Sequence, residues 1–279
     1  MNHHQVYWNG VANTWLKDQP HQLWREFTDR LQHDLLVRGL NAPLPPSAVP
    51  TPAHHGPLSI LKTDLFDEVA GRGLAPSIIA SGAQLTGIDL SPVIVASAAA
   101  RFPELTAITA DVRNLPFPDG SFDAVFSGST LDHFDSAADI TIALTELRRI
   151  LRPHGRLILT LDNLANPLIR LRNGPLLGAW SRLGIIPYRM GVTLRPHTLA
   201  DAVRTAGFSV ISMHAALHCP RAIAVALSTL LDRWFPSSGE SFLRWLLRWE
   251  CFDRLPSRWL TGYYTAIIAL PSLPHHPRT

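Results

Sequence analysis

Two nearby stretches decide the fold of this chain: TGIDLSP at residues 86–92 and ADVRNLPFPDGSFDAVFSGSTLDHF at residues 110–134. In the first, an apolar run closes on Asp89, and Ser91 with Pro92 then supplies an N-cap and a first-turn proline for the helix SPVIVASAAARF. In the second, the run LTAITADV ends at Asp111, a proline- and glycine-bearing turn follows, and FDAVFSGST reads as the next strand. Working outward, LSILKTDL and AQLTGIDL are strands on the N-terminal side with the short helix GLAPSIIAS between them. On the other side, DSAADITIALTELRRIL is a helix stopped by Pro153 and Gly155, and RLILTLDN is a fifth strand. A helix HTLADAVRTAGF, a strand FSVISMHA, a Trp-rich helical insertion and a last strand GYYTAIIAL complete the pattern. Strands alternating with helices of this length predict an α/β protein with a doubly wound, mostly parallel sheet.

The 279 residues and 46% hydrophobic content support a substantial core, and a net charge of +3 with scattered arginines argues against a nucleic-acid partner. Cys219 and Cys251 stand in no redox or metal spacing, as expected of a reduced, cytoplasmic protein. The N-terminal MNHHQVYWNG has no apolar core of a signal peptide, and AIAVALSTLL is too short to span a bilayer. Residues 1–41 read as an amphipathic helical cap, with Leu23, Phe27, Leu31 and Leu35 at helical spacing. Residues 42–57 form a proline-rich linker, 58–165 a nucleotide-binding core, 166–196 a lid insertion, and 197–279 the rest of the core with a Trp-rich insertion at about 219–260.

In an open α/β sheet, ligands bind beyond the carboxyl ends of the strands. The residues to inspect are therefore Asp64 or Asp67, Asp89, Asp111 and the run SGSTLDHF at 127–134. Asp89 lies where a carboxylate accepts from both hydroxyls of a ribose, although an acid there also serves as a cap or turn residue. Asp111 could accept from an adenine amino group, or pair with Arg113.

The run TGIDLSP…ADVRNLPFPDGSFDAVFSGSTLDHF…ELRRILRPHGRLIL resembles the class I S-adenosylmethionine-dependent methyltransferases, in particular the small-molecule, ubiquinone-biosynthesis-like branch, over residues 58–165 and the closing strands. The resemblance implies a Rossmann-like seven-stranded sheet whose last strand, GYYTAIIAL, is antiparallel. It further implies S-adenosylmethionine as cofactor, held by Asp64, Glu68 and Gly71 of the first loop, Asp89 with Leu90, Asp111 with Val112, and Ser127. The first loop, LKTDLFDEVAGRG (61–73), departs from the family's acid-x-Gly-x-Gly-x-Gly pattern. Either Asp67 is its acid, or Asp64 is, with Phe66 and Glu68 at glycine positions; the second register is preferred because Asp64 then ends the apolar strand. Lys62 within that strand calls for an acidic partner.

Methyl transfer from a sulfonium needs collinear placement above all, and a base only where the acceptor must lose a proton. SGSTLDHF is not the Asn/Asp-Pro-Pro-aromatic turn that methylates planar amino groups, so oxygen or carbon of a small, lipophilic or aromatic metabolite is the expected acceptor. His133 is the candidate base, with helix capping or packing as its alternative role. Tyr188, His197, His214 and His218 are further polar candidates, and no metal site is expected from His214, His218 and Cys219. Phe242, Trp245, Trp249 and Phe252 share a helical face, with Arg244 and Arg248 on another. That helix reads as a cover on the sheet edge, a lid over an apolar acceptor, or a peripheral membrane contact. Two other classes stay open: a cofactor-binding enzyme of a different reaction, and a non-catalytic binding protein.

Overall fold

The computed structural model describes residues 8–10, 21–43, 56–174 and 191–272. Most of the proline-rich linker, and of the expected lid insertion with Tyr188, lies outside the described residues. Among the described residues the elements run α1 (Gln22–Leu40), β1 (Ser59–Lys62), α2 (Phe66–Ala70), α3 (Ala75–Ala80), β2 (Gln84–Asp89), α4 (Pro92–Arg101) and β3 (Thr106–Thr109). They continue with β4 (Phe122–Gly128), a 3₁₀ turn Leu131–His133, α5 (Ala137–Ile150), β5 (Leu151–Asp162) and α6 (Pro167–Arg172). The chain then forms α7 (Pro196–Thr205), β6 (Phe208–Ala216), α8 (Arg221–Trp234), α9 (Gly239–Arg248), α10 (Arg258–Thr261) and β7 (Tyr264–Pro271).

The seven strands form one sheet in the order β3-β2-β1-β4-β5-β7-β6. All neighbours pair in parallel except β7, which runs antiparallel to both β5 and β6. Both faces are covered, so successive residues of one strand enter opposite cores. Ile60, Phe126 and Ile158 pack on one side, and Leu61, Val125 and Leu159 on the other. This two-sided burial is why the central strands read as continuous apolar runs rather than alternating ones. Helix α1 lies on the first side through Phe27, Leu31 and Leu35. Its end passes so close to β5 that a Cβ on Gly39 would sit 2.2 Å from Ile158 Cγ1.

One element differs from expectation at its start. Pro153 and Gly155 do not follow a loop but lie inside β5, which begins directly after α5. The β4–β5 register jumps between the pairs Phe122–Leu151 and Ala124–Arg156. The irregularity accommodates a residue that cannot donate to the ladder.

Candidate active site

The strand order reverses between β1 and β4, and a cavity of about 800 Å³ opens at the carboxyl ends of the strands there. Its floor comes from Thr63 and Asp64 after β1, Asp89 and Leu90 at the end of β2, and Asp111 and Val112 after β3. The segment after β4, Gly128 to Thr130 with Asp132 to Phe134, forms one wall. Thr160 and Asp162 of β5 and Tyr264 of β7 form the far end. Helix α1 roofs the cavity with Trp24, Arg25, Thr28, Leu31, Gln32 and Leu35, an i, i+4, i+7, i+11 face.

The first loop is built around buried charge. Lys62 and Glu68 are both fully buried and pair at 2.8 Å, and the Lys62 ammonium also donates to the Asp64 carbonyl at 2.9 Å. Burial alone would push the lysine pKa down, but Asp64, Glu68 and Asp67 outweigh it and hold it above its ordinary value. Asp64 follows the strand directly and is raised by burial, with Lys62 opposing and the neighbouring carboxylates adding to the rise. The other Glu68 oxygen accepts from Leu74 N–H at 3.0 Å, so Glu68 clamps both ends of its loop. Gly73 takes φ +62°, and a Cβ there would lie 2.5 Å from Glu68 Oε1. Glycine is the residue type that fits both conditions.

Helix α1 completes this loop, a contribution with no counterpart in the sequence reading. Asp29 Oδ2 accepts from the backbone N–H groups of Arg72 (3.2 Å) and Gly73 (3.0 Å), and Gln32 donates to Asp67 at 2.9 Å. Burial, and then the Asp67 charge, push Asp29 up to about 7. Gly71 and Glu68 lie behind the cavity wall, while Asp64 and Asp67 both face it.

Asp89 is fixed by two backbone donors, Leu65 N–H to Oδ2 at 3.2 Å and Ser91 N–H to Oδ1 at 2.8 Å. Burial raises its pKa, while the hydrogen bonds from Ser91 and Leu65 oppose the rise. Each oxygen keeps a second acceptor direction for a ligand. Asp111 also faces the cavity, but its carboxylate accepts from Arg113 at 2.6 Å, and Arg113 bridges on to Asp139 at 2.9 Å. The pairing foreseen as an alternative for Asp111 is therefore made. Ser127 is buried beneath the wall, where it accepts from the Thr63 hydroxyl at 2.9 Å, and it does not line the cavity.

At the far end, His133 lines the cavity with its ring 4.7 Å from that of Trp8 and its Nε2 3.9 Å from Asp132. Asp132 is buried, and that burial raises its pKa against the pull of His133. Asp162 pairs with Arg172. The Tyr264 phenol is likewise raised by burial. Ser129 bends the chain here with φ 50°, held by its N–H to the carbonyl and hydroxyl of Thr160, both at 3.1 Å. A strained non-glycine residue at such a position is typical of a binding site. Asp162 and Tyr264 close or open strands, so the strand-end rule that found Asp89 extends to them.

The remaining histidine pair is structural. His214 Nδ1 lies 2.9 Å from Asp253, and His218 Nδ1 lies 2.8 Å from the Thr261 hydroxyl. Burial pushes the Cys219 thiol up to about 12, which keeps it protonated. The aromatic series is continuous: ring centroids are 5.8 Å apart for Phe242–Trp245 and Trp245–Trp249, and 5.6 Å for Trp249–Phe252.

Residues 68–159 match the methyltransferase domain family. The demethylmenaquinone methyltransferase of Thermus thermophilus is 43% identical over 83 residues, 28% of this chain and 36% of that protein. The chain spans 36–40% of the length of the first curated relatives it matches. In three dimensions it is similar to the methyltransferase-like chain solved with the Trm112 methyltransferase activator of Haloferax volcanii (TM-score 0.57, 18% identity, 96% of this chain and 99% of that one). It is also similar to phosphoethanolamine N-methyltransferase 2 of Haemonchus contortus, solved with S-adenosyl-L-methionine (TM-score 0.52, 16% identity, 87% of this chain and 52% of that one). Residues 68–159 thus match a methyltransferase domain, and the seven-stranded sheet with β7 reversed has the fold of the solved methyltransferases it resembles.

Proposed function

We propose that this chain transfers a methyl group from S-adenosylmethionine to oxygen or carbon of a small, lipophilic metabolite. The observation that carries the reading is the pair of half-buried carboxylates, Asp64 and Asp89, at the ends of adjacent β1 and β2 on one cavity floor. Bound there, S-adenosylmethionine would supply an electrophilic methyl on a cationic sulfur. An anionic, partly desolvated floor suits such a cation. Asp89 would hold the ribose, Asp64 the ammonium group, and Val112 with Asp111 the adenine. The Arg113 pair engages Asp111 more than Asp89 is engaged, so Val112 N–H would carry more of the adenine contact.

Trp24, Leu31, Leu35 and Phe134 line the cavity beside Arg25, Thr28 and Gln32, and most of the lining surface is apolar. That lining favours an apolar acceptor. The demethylmenaquinone named for one relative has this character and supports the same class. His133, which lines the cavity, would take a proton from an acceptor hydroxyl, while orientation would account for most of the rate.

Calorimetry with S-adenosylmethionine and S-adenosylhomocysteine tests the cofactor reading, and absence of binding overturns it. Incubation with quinol and phenol acceptors, followed by mass spectrometry for a methyl adduct and S-adenosylhomocysteine, tests the reaction. Cofactor turnover to any other cleavage product would refute methyl transfer.

A further inference from the structure

Helix α8 is built inside out. Its sequence, RAIAVALSTLLDRW, turns the small residues Ala224 and Ser228 inward, where both are buried. Most of its large residues point to solvent: Ile223 is 59% exposed, Leu227 36%, Leu230 48% and Trp234 61%, and Phe235 follows at 57%. The 4-3-4 spacing of the first four makes a single stripe more than two turns long. Packing into the core alone would select the reverse arrangement, with large apolar residues inside and polar ones outside. A contiguous stripe of this kind marks a surface that is covered in use.

The charge around it selects the partner. The acids of this region are engaged internally. Asp232 accepts from Leu23 N–H at 3.3 Å, and Glu240 pairs with Arg30 at 2.7 Å. Glu250 accepts from the N–H groups of Leu217 and His218, and Asp253 pairs with His214. Arg233 is exposed near the end of α8, as are Arg244 and Arg248 on α9 and Arg254 just after it. Arg233 lies over the Trp234 ring at 5.3 Å. An apolar stripe ending in Trp and Phe with a basic surround matches the interface of an anionic bilayer. A second copy fits less well, because a two-fold contact would set this basic surround against itself. No helix among the described residues is long and apolar enough to cross a membrane, so the contact is one of lying on the surface.

We propose that the outward face of α8 docks on an anionic lipid surface and brings the cavity mouth to the bilayer. The same helix supplies Arg221, Ala222 and Val225 to the cavity lining, opposite Trp24 of α1. A lipophilic acceptor thus passes from lipid to cavity along one helix. This last step rests on the acceptor class proposed above; the docking itself does not.

The test is co-sedimentation of the full chain with phosphatidylcholine vesicles, with and without about one third phosphatidylglycerol. The expected result is binding to the anionic vesicles, weakened by salt. Leu227→Glu with Leu230→Glu should reduce it by roughly tenfold or more, and Arg233→Glu with Arg244→Glu should remove the preference for anionic lipid. Because all four positions are exposed, unchanged thermal unfolding of the variants confirms their fold. Failure of the parent to sediment, indifference to the anionic lipid, or a dimer in sedimentation velocity that the Leu227/Leu230 variant abolishes would each overturn the proposal. Calorimetry with S-adenosylhomocysteine on the same preparations separates the two readings. Cofactor binding without vesicle binding defeats docking alone, and the converse defeats the enzymatic reading alone.

Discussion

Replacing Lys62 by methionine removes the cation at the centre of the first loop while keeping a side chain of similar length. Lys62 and Glu68 are wholly buried and 2.8 Å apart, so water cannot screen the charge left behind. Removing one partner of such a pair costs about 3–5 kcal/mol, against a total stability of about 5–15 kcal/mol. At about 2 °C per kcal/mol for a chain of this size, the melting temperature of the cofactor-free protein should fall on the order of 6–10 °C. Glu68→Gln is the informative companion. Its Oε1 still accepts from Leu74, and Lys62 keeps the Asp64 carbonyl at 2.9 Å. The expected cost is therefore smaller, about 1.5–3 kcal/mol. The double variant should cost less than the sum, with a coupling of about 1–3 kcal/mol. Urea unfolding with an unchanged slope is the assay. If Lys62→Met unfolds within about 1 kcal/mol of the parent, the buried pair does not support the loop and the electrostatic account of it fails.

Asp89→Ala should weaken S-adenosylhomocysteine binding by about 10- to 100-fold in calorimetry, the worth of hydrogen bonds to one carboxylate. Gly73→Ala should lower stability by at least about 1–2 kcal/mol in thermal unfolding, since the left-handed φ of +62° and the clash with Glu68 both act against it. Asp29 has a folded pKa of about 7 against an ordinary 3.8, so the native state keeps a proton that the unfolded state releases across that window. Its stabilising contribution is fully present below about pH 4 and is lost as pH rises to about 7, so the melting temperature of the parent relative to Asp29→Asn should fall between about pH 4 and 7 and level off above that. Asp64 is also raised, and a cationic ligand prefers it ionised. Affinity for S-adenosylmethionine should therefore increase with pH through neutrality, and Asp64→Asn should flatten that dependence.

What the sequence made legible follows one physical rule. Strand periodicity, the Ser91 cap and the acids at strand ends all depend on residues close together in the chain. They located β1 to β7, and Asp64, Asp89 and Asp111 at one end of the sheet. The parts that escaped depend on contacts between distant segments. Asp29 meets Gly73 across 44 positions, and no periodicity signals that meeting. Asp162 and Tyr264 were reachable, because they stand at the ends of strands already recognised. Ser127 shows the opposite error, for a strand residue one position short of the turn can point beneath the floor rather than into the cavity.

The unusual loop and the helix above it are best understood together. A glycine-rich loop needs no partners, because its bare backbone can approach a ligand directly. A loop carrying Asp64, Asp67 and Glu68 buries negative charge, and each group then needs a donor or a cation. Lys62 answers Glu68 from below, and Gln32 answers Asp67 from α1. Arg25, whose own pKa is lowered by burial, adds its field from the same helix to Asp67 and Asp29. Asp29 in turn takes the N–H groups of Arg72 and Gly73, which an undecorated loop would leave for a ligand. The N–H groups of Arg72 and Gly73 are thus taken by the roof, while Asp64 and Asp67 face the cavity. On the reading proposed above, cofactor recognition at this end would run through carboxylates and would depend on α1 being seated. Roof and loop form one unit: the charge that suits the floor to a cation is stabilised by the helix that encloses it.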